Sequence, residues 1–331
     1  MDAINRDNKL YNRKALNIVY GDCSLGVHGD DFHYIFSYQH GGLESLVMNG
    51  KEWLYRVPKP TFWRATTDND RGNGFPLRSG IWLSADMFME CTRIDVFVED
   101  KKIDMPIAPI NNEYSKNVMV SKIKIIFTYK TITIPSTNID IAYEINNIGE
   151  IKVGVLYHGN ESLPELPVFG MRFIMPTKAT GYKYEGLSGE TYPDRMEGGI
   201  QGIYDIEGLP ITKYLVPQDC NVHVKTKWLE VYRKTTLDNA YKGDELFGLR
   251  FSSTDGEFAF SCIPYTAEEI ENATHQEELP IARRTVVSIL GAVRGVGGIN
   301  SWGADVEAAY RIDAGKDISY SFLIFKSQFN N

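Results

Sequence analysis

The stretch Ile139-Asp-Ile-Ala-Tyr-Glu-Ile-Asn146 decides the fold class of this chain. Apolar residues at every second position alternate with mostly polar ones, which is the period of a strand with one buried face and one wet face. The same alternation recurs in four further stretches, namely 32–38, 123–127, 258–262 and 320–324. The sequence therefore predicts antiparallel strands along most of its length.

Turn and helix signals agree with an all-β fold. Asn49-Gly50 follows an apolar run and predicts a two-residue hairpin turn. Strands do not alternate with long helices, which disfavours a parallel α/β sheet or a (β/α)₈ barrel. Two short helices are predicted, one from Ser79 to Phe88 and one from Thr266 to Glu278. Thr266 is a good N-cap, and Glu269 completes a capping box.

The domain organisation follows from the length and the even spread of these signals. The chain has 331 residues, of which 43% are hydrophobic, so it can bury a full core. We expect residues 1–16 to form a flexible tail and residues 17–331 to form one large antiparallel sandwich with one or two short helices. A boundary around Asn146–Gly149 is a weaker alternative.

Composition excludes several classes of partner. The net charge is −8 without a basic run, which disfavours nucleic acid and anionic membranes. The first residues lack an apolar signal region, and no apolar run approaches membrane-spanning length. The four scattered cysteines suggest neither a zinc site nor a disulfide framework. We expect a cytoplasmic chain with a neutral substrate or a protein partner.

The stretch Gly295-Val-Gly-Gly-Ile-Asn-Ser-Trp-Gly303 is the leading candidate for a binding element. Glycine lets the backbone adopt positive φ and approach a neighbour closely. A tryptophan on such a loop suits a sugar, whose C–H face can lie on the indole. The alternative is that Trp302 plugs the end of the sandwich.

Asp68-Asn-Asp-Arg-Gly72 faintly resembles a calcium loop. That loop needs an oxygen ligand at its fifth position, where this chain has Gly72. The pattern instead favours a turn whose carboxylates bind backbone N–H groups and Arg64 or Arg71.

Glu190-Thr-Tyr-Pro-Asp-Arg195 places two carboxylates in one loop. A retaining glycosidase needs two carboxyl groups about 5–5.5 Å apart, which spacing within one loop does not establish. We favour a structural turn of Asp194 and Arg195 with Tyr192 packed beneath it. His275, on the second predicted helix between Glu271 and Glu278, is interpreted as a structural hydrogen-bonder, since no nucleophile pairs with it.

Five motifs, in this order, resemble those of family-two β-galactosidases. They are Thr61-Phe-Trp-Arg-Ala-Thr-Thr-Asp-Asn-Asp-Arg-Gly72, Gly186-Leu-Ser-Gly-Glu-Thr-Tyr-Pro-Asp-Arg195, Pro217-Gln-Asp-Cys-Asn221, Tyr265-Thr-Ala-Glu-Glu-Ile-Glu-Asn-Ala-Thr-His275 and Gly295-Val-Gly-Gly-Ile-Asn-Ser-Trp302. The resemblance spans roughly residue 17 to the end. Thr66 departs from the pattern, because it stands at the position of the family's proline.

The resemblance implies a galactose-mutarotase-like super-sandwich, similar to the small chain of heterodimeric β-galactosidases. A large subunit with a (β/α)₈ barrel would carry both catalytic glutamates, so no catalytic residue is expected in this chain. The complex would hydrolyse lactose with retention in the cytosol. Trp302 would reach into the barrel's pocket and bind the sugar in the aglycone region. Magnesium and sodium are expected on the large subunit, and no metal or other cofactor on this chain.

The resemblance also assigns roles to single residues. A mobile active-site loop would include Gly72, Asn73, Gly74, Phe75 and Arg78. Structural motif residues would be Arg64, Asp68, Asp70, Tyr192, Asp194, Arg195 and His275.

A free-standing mutarotase-like aldose epimerase or a carbohydrate-binding module is the alternative function. An epimerase needs its own general acid and base in one cleft. None of the six histidines (28, 33, 40, 158, 223 and 275) lies in a loop with a convincing carboxylate partner. A purely structural assembly domain is a third possibility, against which Trp302 on its glycine loop argues.

Overall fold

Three antiparallel sheets make up the computed structural model, which describes residues 15–105 and 118–327. The strands are β1 (Leu16–Tyr20), β2 (Ser24–His28), β3 (Phe32–Ser37), β4 (Gly42–Met48), β5 (Lys51–Glu52), β6 (Lys59–Thr61), β7 (Glu90–Val98), β8 (Lys101–Ile103), β9 (Val118–Val120), β10 (Lys122–Lys130), β11 (Asn138–Asn146), β12 (Ile151–Tyr157), β13 (Val168–Met175), β14 (Gly181–Leu187), β15 (Gln201–Glu207), β16 (Val222–Thr226), β17 (Trp228–Arg233), β18 (Phe247–Ser253), β19 (Phe258–Ile263), β20 (Thr285–Val293) and β21 (Ile318–Lys326).

The largest sheet has ten strands in the order β15-β14-β17-β18-β21-β12-β11-β10-β7-β8. A six-stranded sheet has the order β5-β4-β3-β2-β1-β9, and a five-stranded sheet has the order β16-β19-β20-β13-β6. One large cluster of buried apolar side chains draws on all three sheets. The predicted all-β antiparallel sandwich is confirmed.

Strand β11 shows why these residues form strands. Ile139, Ile141, Tyr143 and Ile145 are fully buried, and the residues between them lie on the wetter face. Each fully buried side chain of this size contributes roughly 1.5–3 kcal/mol by leaving water. A shift of one residue in the pairing would expose all four, so the alternation also fixes the register.

Two turns contain asparagines that the sequence analysis named, Asn49 and Asn146. Asn49 and Gly50 both have positive φ, at 50° and 68°, and they join β4 to β5 as the predicted hairpin. The Asn146 Oδ1 atom accepts hydrogen bonds from the N–H groups of Ile148 and Glu150 at 3.1 and 3.0 Å. This turn joins β11 to β12 within one sheet.

The first predicted helix, Ser79 to Phe88, is wrong. Helical residues come earlier, in α1 (Asp68–Asn73), α2 (Phe75–Ser79) and the 3₁₀ turn Gly80–Trp82. Beyond it, Ser84 has a φ of 61°, which interrupts any helix. The apolar residues of this segment are mostly exposed, so they do not form the buried stripe that stabilises a helix.

The second predicted helix begins correctly and ends early. The Thr266–Glu269 capping box is present, but α3 (Ala267–Glu271) ends before a separate 3₁₀ turn, Gln276–Glu278. His275 precedes that turn and does not lie on a helix, which corrects its predicted position. One more 3₁₀ turn covers Ala308–Tyr310.

The ends of the chain are described only in part. Residues 1–14 of the expected tail lie outside the described residues, and Leu16 already belongs to β1. In the described ranges, no helix is long and apolar enough to cross a membrane.

Candidate functional site

Trp302 lies at the tip of the glycine loop with 91% of its side chain exposed. Its own N–H donates to Asn300 Oδ1 at 2.9 Å, and the Ala304 N–H donates to the same oxygen at 3.3 Å. The Asn300 side chain therefore shapes the turn that carries the ring. Because the indole is in solvent, it does not plug the sandwich.

Asp194 binds the backbone at the start of the same loop. Its carboxylate accepts hydrogen bonds from the N–H groups of Val296 at 3.0 Å and Gly297 at 2.8 Å. A Cβ atom on Gly295 would lie 2.7 Å from the Asp194 Cγ atom, so only glycine permits this approach. The Arg195 guanidinium donates to the Gly297 carbonyl. The motif at 190–195 thus fixes the loop that carries Trp302.

A row of buried ion pairs supports the loop from beneath. Arg64 binds Asp70 at 2.7 Å and donates to the Gly295 carbonyl at 3.1 Å. Arg294, which is fully buried, binds Asp70 at 3.2 Å and Asp305 at 2.5 Å. Both guanidinium groups are paired with carboxylates, as buried charges require, although the Arg64 Nε atom is buried without a hydrogen-bond partner.

The electrostatics of this row favour the charged forms. Burial opposes the charge on Arg64, but the carboxylates of Asp70 and Asp219 hold its pKa above the usual value. Burial likewise raises the pKa of Asp305, but the Val306 N–H and Arg294 outweigh it and lower that pKa overall.

The predicted mobile loop, Gly72–Arg78, is largely helical and packs beside the glycine loop. Gly74, with a φ of 74°, ends α1 and begins α2. Phe75 is buried, with the Arg294 guanidinium 3.9 Å from its ring centroid. Arg78 donates to the Asn73 carbonyl and to Asp305, both at 2.6 Å. Motion of this segment stays a prediction.

The Asp68–Gly72 stretch lies in α1, so the predicted turn is instead a short helix. Thr67 and Asp70 form a capping box, and Asp68 pairs with Arg71 at 3.2 Å. The Asp68 N–H donates to Gln218 Oε1 at 2.7 Å. These contacts agree with a structural role for Asp68 and Asp70, which stays a prediction. In the ranges that the structure covers, no three histidine, cysteine, aspartate or glutamate side chains converge as metal ligands.

Glu190 and Asp194 both bind their own chain. Glu190 Oε2 accepts hydrogen bonds from the Asn221 N–H at 2.7 Å and the Thr212 hydroxyl at 3.2 Å. Asp194 holds the glycine loop as described above. Neither carboxylate is therefore free to act across a glycosidic bond, and the structural interpretation of the motif is supported.

Asp219 is a motif residue that the sequence analysis did not single out. The Tyr192 hydroxyl donates to its Oδ2 atom at 2.8 Å. Burial raises the pKa of Asp219 to about 7, although nearby Arg64 acts in the opposite direction. Its position in the motif Pro217–Asn221 is the sequence feature that could have identified Asp219 as part of the site.

Glu271 also went unrecognised as a link between motifs. It accepts hydrogen bonds from the Thr66 N–H at 2.6 Å, the Thr66 hydroxyl at 2.7 Å and the Trp63 indole at 3.2 Å. It therefore ties the first motif to α3. His275 is exposed and contacts Thr274 and Glu278 at 3.0 and 3.2 Å, so it is a local hydrogen-bonder.

The structure corrects one expectation about the histidines. His158 pairs with Asp140 at 2.8 Å, and His40 pairs with Glu44 at 3.3 Å. The contact between His158 and Asp140 arises because β11 pairs with β12. The spacing of the two residues along the sequence did not indicate it. His223 is buried, and burial lowers its pKa to about 4.

A family model described as "Beta galactosidase small chain" matches residues 28–324. This chain belongs to that family. It is 58% identical to a β-galactosidase small subunit of Latilactobacillus sakei, over 94% of this chain and 98% of the relative. It is 32% identical to a β-galactosidase of Halalkalibacterium halodurans, over 98% of this chain but only 29% of that longer protein.

Solved structures show a more distant likeness. A galactose mutarotase-like protein from Lactobacillus casei aligns with a TM-score of 0.41 and 10% identity, over 92% of this chain and all of that one.

Proposed function

We propose that this chain is the small subunit of a β-galactosidase and completes the active site of a large subunit. That large subunit would carry a (β/α)₈ barrel and both catalytic glutamates, and would hydrolyse terminal β-D-galactosides such as lactose with retention. Family membership supports the activity. The exposed Trp302 on a fixed loop is the observation that supports the role of this chain.

The geometry suits a part of an active site that another chain completes. An exposed indole offers a flat apolar face for a sugar ring. Asp194 and the buried ion pairs hold its loop in place before binding, so little conformational entropy is lost when the sugar arrives. This chain would supply binding and position, and the barrel would supply the chemistry.

The proposal also covers the place of this chain in the enzyme, the compartment, the metal ions and the segment Gly72–Arg78. The chain would correspond to the C-terminal β domain of single-chain family-two enzymes, and the complex would work in the cytoplasm. Magnesium and sodium would bind to the large subunit. The segment Gly72–Arg78 would move as substrate goes deeper into the pocket.

Complementation tests this proposal. The chain, the large subunit and their mixture are each assayed with a nitrophenyl β-galactoside. We expect hydrolysis only from the mixture, with a plateau at equal amounts of the two chains. Turnover by this chain alone that survives repurification would contradict it. So would faster interconversion of galactose anomers by this chain alone, which would favour the epimerase.

A further inference from the structure

Three exposed or half-buried arginines and Tyr55 line a cavity of about 610 Å³. They are Arg56, Arg283 and Arg284, and we call them with Tyr55 the arginine pocket. The Arg284 guanidinium lies 3.1 Å from the centroid of the Tyr55 ring, and that of Arg56 lies 5.6 Å from it. The chain as a whole carries a net charge of −8, so a group of cations on one surface runs against its composition.

These three cations have no carboxylate partner in residues 15–105 and 118–327. The acidic residues at the same cavity are already used, because Glu268 binds Arg172 at 3.1 Å and Glu269 caps α3. The Nη1 atom of Arg284 is buried and has no hydrogen-bond acceptor. A buried donor without an acceptor is costly, so an anion that filled the cavity would be stabilised there.

Several exposed apolar side chains, which we call the apolar strip, lie in residues 77–88, the segment between α1 and β7. Met87 lines the cavity and is 61% exposed, and Phe88 beside it is 64% exposed. Leu77, 90% exposed, lies at the other end of the strip, next to the Arg78 that binds Asp305. Large exposed apolar patches often mark protein–protein interaction sites.

We propose that the arginine pocket binds an aspartate or glutamate side chain of the large subunit. The apolar strip 77–88 would pack beside that contact, in one interface that ends at Trp302. This inference rests on the proposed function. Charge complementarity selects an acidic partner, and arginine and tyrosine are the residues that most often dominate the energy of interfaces. The planar fork of a guanidinium matches a carboxylate in particular.

Binding kinetics of the full-length chain to the immobilised large subunit test the proposal at low and high salt. The double variant Arg56→Ala/Arg283→Ala removes two exposed cations without touching the core. Its matched control is Lys130→Ala/Lys152→Ala, which makes the same change in net charge on the ten-stranded sheet. We expect the dissociation constant of the arginine variant to rise at least about tenfold, and that of the control to stay near wild type.

The salt dependence of association and a conservative arginine variant test the same proposal in two further ways. The wild-type association rate should fall with salt more steeply than that of the arginine variant, because steering by charge is screened. Arg284→Lys keeps the charge but loses the fork, and should bind with intermediate affinity. Melting temperatures close to wild type establish that the variants are folded.

The outcomes separate the two proposals. If the wild-type chain neither binds nor activates the large subunit, the proposed function fails and this inference with it. If the wild type activates while the arginine variants bind as tightly as the lysine control, only this inference is overturned. Loss of self-association instead, seen by sedimentation, would also overturn it, because a second copy of this chain would then be the occupant.

Discussion

Arg78 and Asp305 join the two segments beside Trp302, with the Arg78 Nη2 atom 2.6 Å from Asp305 Oδ2. The same carboxylate binds the buried Arg294 at 2.5 Å. One aspartate therefore connects a surface segment to the buried ion pairs. The glycine loop and the segment Gly72–Arg78 therefore both depend on the ion pairs of Asp305. A substitution in either one should change the conformation of the other.

Asp70→Asn should lower the free energy of unfolding by about 3–5 kcal/mol, because it leaves two buried guanidinium groups without their shared carboxylate. Urea denaturation measures the loss. Asp68→Asn is the matched control, since Asp68 is 71% exposed and pairs only with Arg71, and it should change the stability by no more than about 0.5 kcal/mol. Equal effects of the two variants would argue against a supporting role for the buried pairs.

Asp194→Ala should loosen the loop that carries Trp302. Two loop N–H groups lose a charged acceptor, and such hydrogen bonds each contribute about 1.5–3 kcal/mol. In the reconstituted complex, the KM for lactose should rise. Asp205→Ala on β15, an exposed position, is the control and should leave KM unchanged. An Asp194 variant with a normal KM would show that the loop needs no such support.

Arg78→Ala should change stability little, by about 0–1 kcal/mol, because the ion pair with Asp305 is partly exposed. The backbone amides of residues 72–78 should nevertheless exchange hydrogen for deuterium faster, since the segment loses its link to the glycine loop. Lys316→Ala, which removes another exposed ion pair, is the control. Unchanged exchange would mean that Phe75 alone holds the segment.

Asp219 predicts a dependence of stability on pH. Its pKa is raised in the folded chain to about 7, so between its unfolded value near 4 and pH 7 the folded state binds more protons than the unfolded state. The contribution of Asp219 to stability therefore falls as the pH rises through this window.

Asp219→Asn removes that contribution. The wild type minus the variant isolates Asp219, because His223, whose lowered pKa acts with the opposite sign at acidic pH, is present in both. We expect the wild type to lose stability relative to the variant between pH 4 and 7, as measured by urea unfolding. A constant difference across that range would refute the shifted pKa.

The strands were predictable because their evidence is local. Ile139–Ile145 alternate in sequence, and they alternate in burial. The helix expected over 79–88 failed because most apolar residues there, among them Met87 and Phe88, remain exposed, so no buried face stabilises a helix. Spacing alone does not tell a core from an unoccupied surface.

The hydrogen bonds that hold the candidate site were not predictable from local sequence patterns. Asp194 and Gly297 are about a hundred positions apart in the sequence, and Glu271 and Thr66 are about two hundred apart. No sequence periodicity relates the two members of either pair. The motif resemblance pointed to the right segments. It did not give their hydrogen bonds, nor the roles of Asp219 and Arg294.

Trp302→Ala separates a sugar-binding role of the indole from a structural one. Stability should change by no more than about 0.5 kcal/mol, because the side chain is exposed. By contrast, Trp53→Ala, at a buried position, should cost about 3–5 kcal/mol.

In the reconstituted complex, the same Trp302→Ala variant is assayed for lactose hydrolysis and for transfer of galactose to added glucose, with Trp302→Phe as the control that keeps an aromatic face. We expect aglycone binding to weaken by about 1–3 kcal/mol in Trp302→Ala, seen as a higher KM and less transfer, and phenylalanine to restore part of it. A variant that unfolds far more easily than wild type, yet shows normal lactose kinetics while folded, would contradict the account.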